Sequence, residues 1–186
     1  MTMGVHDGHA TFYTYVDTPV GKLMLAGCPD HGLRLIAFQC GKGRVAPEPE
    51  WKQSAEPFRE AGRQLAAYFR GERTTFDLQL NPAGTPFQLA VWKALEGIPF
   101  GETRSYGDVA RSMGRPGAAR AVGLANGRNP LAIVVPCHRV IGSTGTLVGY
   151  GGGLNVKQAL LDLESTVLAR RPPEGPRRTR ARREPK

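Results

Sequence analysis

A cysteine and a histidine stand side by side in the segment PCHRVIG. Cys137 and His138 follow the apolar run 131–135 and Pro136. A free thiol has a pKa of about 8.5 and is mostly unreactive at neutral pH, whereas a nearby imidazole can remove its proton. The pair therefore indicates nucleophilic chemistry at Cys137, and the alternative is that the thiol is a small buried hydrophobe.

The geometry of this segment sets a condition on that chemistry. We predict that residues 131–135 form a strand in the core and that Pro136 ends its pairing. Neighbouring side chains of an extended segment point to opposite sides, so His138 reaches Cys137 only if the chain turns there or through a bridging water. A base also needs an orienting partner, and Glu164 can supply it by pointing inward from the last helix. A solvated surface glutamate is the alternative.

The first part of the chain indicates a small sheet followed by a helix. Short β-prone runs at residues 11–16, 22–27 and 33–39 are separated by turn residues, which is typical of an antiparallel meander. The next segment places Leu65 and Phe69 on one helical face, and Gly71 is suited to end the helix.

From Thr85 onward the sequence predicts helices. Two capping boxes, Thr85 with Gln88 and Ser105 with Asp108, begin the first two of them. A third is predicted from about residue 118 to residue 126, and the last begins after Asn155 as its N-cap.

The second and third of these helices form a helix-turn-helix pattern around the turn GRPG. Such hairpins more often have no role in nucleic-acid binding. Two details favour nucleic-acid binding here. Arg120 lies in the first turn of the second helix of the pattern, and small side chains line that helix, which lets a large partner approach its backbone. The small residues are Ala118, Ala119, Ala121, Gly123 and Ala125. Tight helix packing is the alternative.

Charge is concentrated at the C-terminus. The chain carries a net charge of +9, and residues 170–186 contribute +6 of it through eight basic and two acidic residues. A basic chain hints at a polyanionic partner, and the Pro- and Arg-rich composition predicts a disordered tail. We divide the chain into domains at 1–82 and 85–166, with the basic tail at 167–186.

The remaining composition indicates a globular cytoplasmic protein. Its three cysteines are too few for a disulfide framework, which favours a reducing compartment. No apolar run approaches the ~18 residues of a membrane span, and the N-terminus does not resemble a secretory signal.

The motifs resemble those of the O6-alkylguanine-DNA alkyltransferases. Along the chain, PCHRVIG follows NP and precedes GYGGG, and GETRSYGDVA and AARAVG lie upstream of all three. The resemblance covers Thr85 to Glu164. It extends more weakly to TPVGKLMLAG. The resemblance implies an α+β fold: a small N-terminal α/β domain with an antiparallel sheet, and a mainly helical, winged-helix-like C-terminal domain containing the helix-turn-helix.

The same resemblance assigns roles in a transfer reaction without a cofactor. Cys137 would attack the alkyl carbon on O6 of guanine, with His138 as base through a water and Glu164 orienting it. Asn129 would brace the turn, and Tyr106 would donate a hydrogen bond to the guanine ring. The thioether product is not readily reversed, so each molecule would act once.

The partner implied is double-stranded DNA containing O6-alkylguanine, bound by a monomer. Val140, Tyr150 and Gly151 would hold the purine, which must be flipped out of the stack. Arg120 would fill the gap that the base leaves. The small residues at 118, 119, 123 and 125 would let the helix enter the minor groove. For Arg139, which follows His138 in the motif, the resemblance implies a structural role.

Three other interpretations are weighed against this one. A zinc site at His9, Cys28 and His31 is disfavoured because Arg34 stands where a ligand histidine would be and a fourth ligand is missing. A DNA-binding module without chemistry is disfavoured by the presence of Cys137. A cysteine hydrolase would use the same cysteine, histidine and glutamate but needs an oxyanion hole, which the sequence does not identify.

Overall fold

The computed structural model describes residues 10–170 and has an α+β fold. The N-terminal sheet comprises β1 (Phe12–Thr18), β2 (Gly21–Cys28), β3 (Gly32–Phe38) and β4 (Lys52–Gln53), in the order β3-β2-β1-β4. The first three strands pair antiparallel, as the sequence predicts, whereas the short β4 pairs parallel with β1. The tight turn between β1 and β2 uses Gly21 at a φ of 109°, a conformation that favours glycine.

Both faces of this sheet are covered because β2 is apolar on both sides. Leu23, Leu25 and Ile36 belong to the main core that is shared with the C-terminal half. Met24 and Leu35 point to the other face, into a smaller cluster closed by Trp51. The N-terminal domain thus presents one face to the site and carries its own covering on the other.

Helix α1 (Arg59–Phe69) packs the N-terminal domain against the rest of the chain. It ends at Phe69, and Gly71, just after the C-cap, has a φ of 74°, which agrees with the predicted helix stop. The buried face is slightly wider than the predicted one: Leu65 and Tyr68 are fully buried, and Phe69 is half-buried against the same core.

Within residues 86–170, four α-helices build the C-terminal half: α2 (Pro86–Glu96), α3 (Tyr106–Ser112), α4 (Ala119–Gly127) and α5 (Leu154–Arg170). Both predicted capping boxes are present, with Thr85 before α2 and Ser105 before α3. Helices α3 and α4 are joined through a 3₁₀ turn at Pro116–Ala118 and form the helix-turn-helix. A parallel pair of two-residue strands, β5 (Arg104–Ser105) and β6 (Val140–Ile141), lies beside it.

The prediction of a strand at residues 131–135 is wrong. Leu131 makes a single bridge with Ile36, and the chain then turns, with Ile133 at a φ of 71°. The amide of Val135 donates to the carbonyl of Leu131, so the run is a buried turn. Hydrophobicity alone predicted its burial, but the chain must reverse between the sheet edge and the reactive segment. A β-branched residue at positive φ is a genuine outlier, held here by complete burial.

The last helix also begins and ends differently from the prediction. Asn155 lies inside α5 rather than capping it, because the helix already starts at Leu154. The helix continues to Arg170, so residues 167–170 of the predicted tail are helical. Residues 171–186, and His9 of the zinc interpretation, lie outside the described residues. Over residues 10–170, none of the helices has the length and hydrophobicity needed to cross a membrane.

Candidate active site and DNA-binding face

Cys137 lies in a short 3₁₀ helix formed by Cys137–Arg139. The chain therefore turns immediately after Pro136, which is one of the two conditions under which His138 can reach Cys137. Cys137 is 5% exposed and His138 is fully buried. The thiol therefore lies at the base of the site and not on the protein surface.

Glu164 collects hydrogen bonds from the surrounding elements. His138 Nε2 lies 2.8 Å from Glu164 Oε1, and Arg139 donates to both carboxylate oxygens at 2.9 Å. The Tyr68 hydroxyl donates to Oε1 at 2.8 Å, and the Gly101 amide donates to Oε2 at 2.8 Å. Burial by itself raises the pKa of Glu164, but the bonds from His138 and Arg139 outweigh burial and lower this pKa to about 2. Glu164 is thus a permanent anion that points inward.

The carboxylate fixes the tautomer of His138. An ionised carboxylate only accepts, so the imidazole Nε2 carries the proton and Nδ1 carries the lone pair. Among the described residues, Nδ1 has no hydrogen-bond partner although it is buried. Burial lowers the pKa of His138 below its usual value, against the opposing effect of Glu164, and Arg139 and Lys157 lower it further. A neutral imidazole with a free lone pair is a competent general base.

The Cys137 thiol is held in its neutral form. Burial raises the pKa of the thiol, although a hydrogen bond from Asn129, the charge of Lys157 and backbone amides act in the opposite direction. The thiol is therefore protonated at neutral pH and becomes a good nucleophile only as its proton is removed.

Asn129 braces the turn before Cys137, as the resemblance implies. Its side-chain amide donates to the Val135 carbonyl at 2.8 Å, and its side-chain oxygen accepts from the Leu131 amide at 3.0 Å. These bonds close the buried turn from the inside and set where the reactive segment begins.

Two adjoining cavities connect the cysteine to the helix-turn-helix. The smaller, about 230 Å³, is lined by Cys137 and Asn129, and Tyr150 and Gly151 line both cavities. The larger, about 880 Å³, reaches Tyr106 at the start of α3. Burial raises the pKa of Tyr106, and the nearby Cys137 raises it further, so its hydroxyl remains a hydrogen-bond donor.

Val140 differs from the other predicted pocket residues. It is fully buried and lines neither cavity, its amide donates to the Cys137 carbonyl, and its carbonyl accepts from Lys157 Nζ at 2.6 Å. Its position directly after the reactive turn explains this, because both backbone groups serve to hold that turn in place.

Helix α4 presents Arg120 and Gly123 to the larger cavity. Ala118 and Ala119, at its start, are half-buried. Ala125, predicted to face DNA, is 3% exposed, and its carbonyl accepts from the Trp92 indole at 2.9 Å. The structure therefore gives it a packing role, because it lies on the helix face toward α2.

Several contributors were missed by sequence reasoning. Leu124, one turn after Arg120, is 64% exposed and lines the same cavity. Lys157 is fully buried and also donates to the Val148 carbonyl at 2.8 Å, which ties the pocket loop to α5. Asn126 is 4% exposed and lines both cavities. Lys157 lies three residues before the fully buried Leu160, on the same face of α5, and this helical spacing was the available signal.

The N-terminal thiol shows a simpler arrangement. Cys28 Sγ lies 3.3 Å from His31 Nδ1. Across the described ranges, three or more His, Cys, Asp or Glu side chains do not gather in any metal-binding group.

The site combines a cysteine, a neutral imidazole with an open Nδ1 and a buried carboxylate, and two adjoining cavities connect it to the helix-turn-helix. This combination defines a class of proteins that bind DNA and react through a cysteine. Two family models match in order: the 6-O-methylguanine DNA methyltransferase ribonuclease-like domain at residues 11–82 and the DNA-binding domain of the same family at residues 86–166. The chain belongs to the 6-O-methylguanine DNA methyltransferase family, which confirms the resemblance found in the sequence.

Relatives and solved structures agree with this membership. A methylated-DNA–protein-cysteine methyltransferase of Methanosarcina acetivorans is 52% identical over 83% of this chain and 99% of its own length. One of Mycobacterium tuberculosis is 54% identical over 83% of this chain and 92% of its own. The crystal structure of M. tuberculosis OGT in complex with DNA superposes with a TM-score of 0.77 at 53% identity, covering 84% of this chain and 94% of that one.

Proposed function

We propose that this protein repairs O6-alkylguanine in double-stranded DNA by transferring the alkyl group to its own Cys137. The observation that carries the proposal is the His138 imidazole beside Cys137, which is buried, neutral, held by Glu164 at Nε2 and open at Nδ1. A neutral imidazole with an open nitrogen can accept the proton of a neighbouring thiol, which activates that thiol as a nucleophile.

The reaction balances with the protein's own groups. The thiol proton of Cys137 passes through a bridging water to His138 Nδ1, and the sulfur forms a bond to the alkyl carbon. The bond from that carbon to O6 breaks, and its electron pair leaves with guanine. Tyr106 stabilises the departing base by donating a hydrogen bond to a ring nitrogen, and guanine finally takes up one proton. The product is a thioether, so each molecule reacts once.

Base flipping follows from the depth of the thiol. Cys137 is 5% exposed, and O6 of a stacked guanine cannot approach it. Extrusion of the base costs a few kcal/mol. The larger cavity has the volume to admit a purine and adjoins the smaller cavity that Cys137 lines, and Tyr150 as a wall and Gly151 with its backbone line both. Asn129 keeps the reactive turn in place.

Helix α4 is the proposed DNA contact. Arg120 is exposed at its first turn beside the cavity and would occupy the place of the flipped base. The half-buried Ala118 and Ala119, together with Gly123, let the helix backbone come close to the minor groove. Leu124 adds an exposed apolar side chain on the same face, of the kind that minor-groove proteins insert between base steps.

One chain supplies every group named above, which supports action as a monomer. The proposed compartment is the cytoplasm, which is supported by the three unpaired cysteines.

The test is an incubation with duplex DNA that carries a radiolabelled methyl group on guanine O6. We expect the label to move to protein in a one-to-one ratio and to map to the peptide with Cys137. Label that stays on bound DNA would favour a lesion-binding protein without chemistry. Label released into solution would favour hydrolysis. Either result would overturn the proposal.

A further inference from the structure

Tyr68 connects the N-terminal domain to the reactive centre. It lies near the end of α1 and is fully buried. Its hydroxyl donates to Glu164 Oε1 at 2.8 Å, the oxygen that also faces His138 Nε2 at 2.8 Å. Among the described residues that hydrogen-bond to this carboxylate, Tyr68 is the one that belongs to the N-terminal domain (residues 1–82).

The ring of Tyr68 is held from several sides. It makes edge contacts with Phe69 at 5.3 Å and Phe100 at 6.0 Å between ring centroids, and a tilted contact with Phe76 at 5.5 Å. Phe69 and Phe76 belong to the N-terminal half and Phe100 to the C-terminal half. The hydroxyl therefore has little freedom to leave the carboxylate.

We propose that Tyr68 is a positioning residue of the transfer reaction: its hydroxyl orients Glu164 and moderates the hold of that carboxylate on the His138 imidazole. The inference rests on the proposed function and deepens it. It assigns the N-terminal domain a part in the chemistry, besides its part in the fold.

The electrostatics give the direction of the effect. A carboxylate oxygen that accepts from two donors shares its charge between them. Without the Tyr68 hydroxyl, Oε1 would attract the His138 proton more strongly, so the imidazolium would be stabilised and the pKa of His138 would rise. A base that is partly protonated at neutral pH accepts the thiol proton less often.

The other polar groups around His138 do not replace this hydroxyl. The charged or titratable neighbours are Cys137, Arg139, Tyr150, Lys157 and Glu164. Arg139 also donates to both oxygens of Glu164, and its third hydrogen bond goes to the Ile98 carbonyl at 2.7 Å. Its guanidinium is therefore already fixed by these contacts and does not take the place of the Tyr68 hydroxyl. Burial, and then the neighbouring Glu164 charge, raise the pKa of Tyr68, so its hydroxyl remains a donor wherever the protein is folded.

The deciding variant is Tyr68→Phe, which removes only the hydroxyl and keeps the aromatic contacts. The rate of alkyl transfer from free O6-benzylguanine is measured across the pH range in which histidine titrates. We expect the acid limb to move to higher pH by about one pH unit, the scale of one hydrogen bond to a charged group, and the rate at neutral pH to fall in proportion to the fraction of imidazole that this shift protonates. Affinity for undamaged duplex DNA should not change.

The matched control is Tyr13→Phe. It also removes a tyrosine hydroxyl of the N-terminal domain, one that donates to Gln53 on an exposed strand at 3.4 Å. Its rate and acid limb should equal those of the unaltered protein. A Tyr68→Phe protein with an unchanged rate and an unchanged acid limb would overturn the inference, as would a slower protein whose acid limb has not moved, since weaker packing alone gives that result.

A second replacement tests the same bond without removing it. Site-specific 3-fluorotyrosine at position 68 makes the hydroxyl a stronger donor, so the acid limb should move to lower pH. A limb that stays in place or moves upward would contradict the inference. The unaltered protein is assayed in parallel with the radiolabelled O6-methylguanine duplex. If it takes no methyl group at Cys137 from that duplex, the proposed function fails, which is distinguishable from a failure of the role given to Tyr68.

Discussion

The carboxylate of Glu164 and the imidazole of His138 meet at 2.8 Å, and both side chains are fully buried. Glu164 faces Nε2, so the lone pair of the imidazole lies at Nδ1. This one contact decides which nitrogen can act as the base and explains why a residue 26 positions further along the chain belongs to the site.

Replacement of the cysteine is the most direct prediction. Cys137→Ser should abolish alkyl transfer and leave binding of O6-methylguanine duplexes largely intact, because the hydroxyl is similar in size but far less acidic. Transfer is followed by label on protein, and binding by mobility shift. The matched controls, Cys28→Ser and Cys40→Ser, should transfer as the unaltered protein does; label on Cys28 or Cys40 in the Cys137→Ser protein would disprove the assignment.

The pH dependence of transfer should reflect His138. Its pKa lies below the ordinary 6.5 because the neutral form is favoured by burial, so the base is unprotonated at neutral pH. The rate should stay level as pH falls from neutral to 6.5 and should drop only below it, as the pH passes through the lowered pKa. Rates with free O6-benzylguanine at a series of pH values provide the measurement. A rate that is already halved well above pH 6.5 would contradict a buried neutral base.

Glu164→Gln should affect both rate and stability. It leaves Arg139 buried at 2.9 Å from a neutral group, and a broken buried ion pair costs about 3–5 kcal/mol. Chemical denaturation should show this loss, while the exposed control Glu60→Gln should stay near the unaltered protein.

In the transfer assay, His138→Gln alone should slow the rate nearly as much as His138→Gln combined with Glu164→Gln, because the effects of groups acting as one unit are not additive. If the rate losses of the two single variants simply multiply in the double variant, His138 and Glu164 do not act as one unit.

Arg120→Ala should separate DNA repair from chemistry. Repair of a duplex should slow strongly, since the flipped base leaves a gap, whereas reaction with free O6-benzylguanine should hardly change, because a free base leaves none. The exposed Arg59→Ala, on α1, serves as the control for the removal of one positive charge. Equal losses on both substrates would mean that Arg120 supports the fold or the pocket.

The basic C-terminal segment should act on affinity only. Deletion of residues 171–186 removes seven of the chain's basic residues. Duplex affinity at low salt should fall and its salt dependence should become shallower, by up to about 0.9 log units for each phosphate that is no longer neutralised. Reaction with the free base should stay the same, because Cys137 and its partners lie elsewhere. An identical salt slope for the truncated protein would show that the segment is dispensable for binding.

Much of the fold was predictable because its signals are local. Capping boxes at Thr85 and Ser105 depend on residues three positions apart, and the stop at Gly71 depends on the φ that one residue adopts. The three long strands follow from short apolar runs between turn residues. The buried turn at 131–135 was not predictable in the same way, since an apolar run has the same pattern in a strand and in a buried turn.

For the site, the sequence by itself determined the reactive pair, because Cys137 and His138 are neighbours, and it determined the family through motifs that lie close together along the chain. Only the tertiary structure decided which groups surround that pair. Tyr68 reaches Glu164 from 96 positions away, Lys157 binds the carbonyl of Val140, and Ala125 turns inward while Leu124 turns outward. These contacts depend on how helices pack, and packing is a property of distances in space that spacing along the chain does not encode.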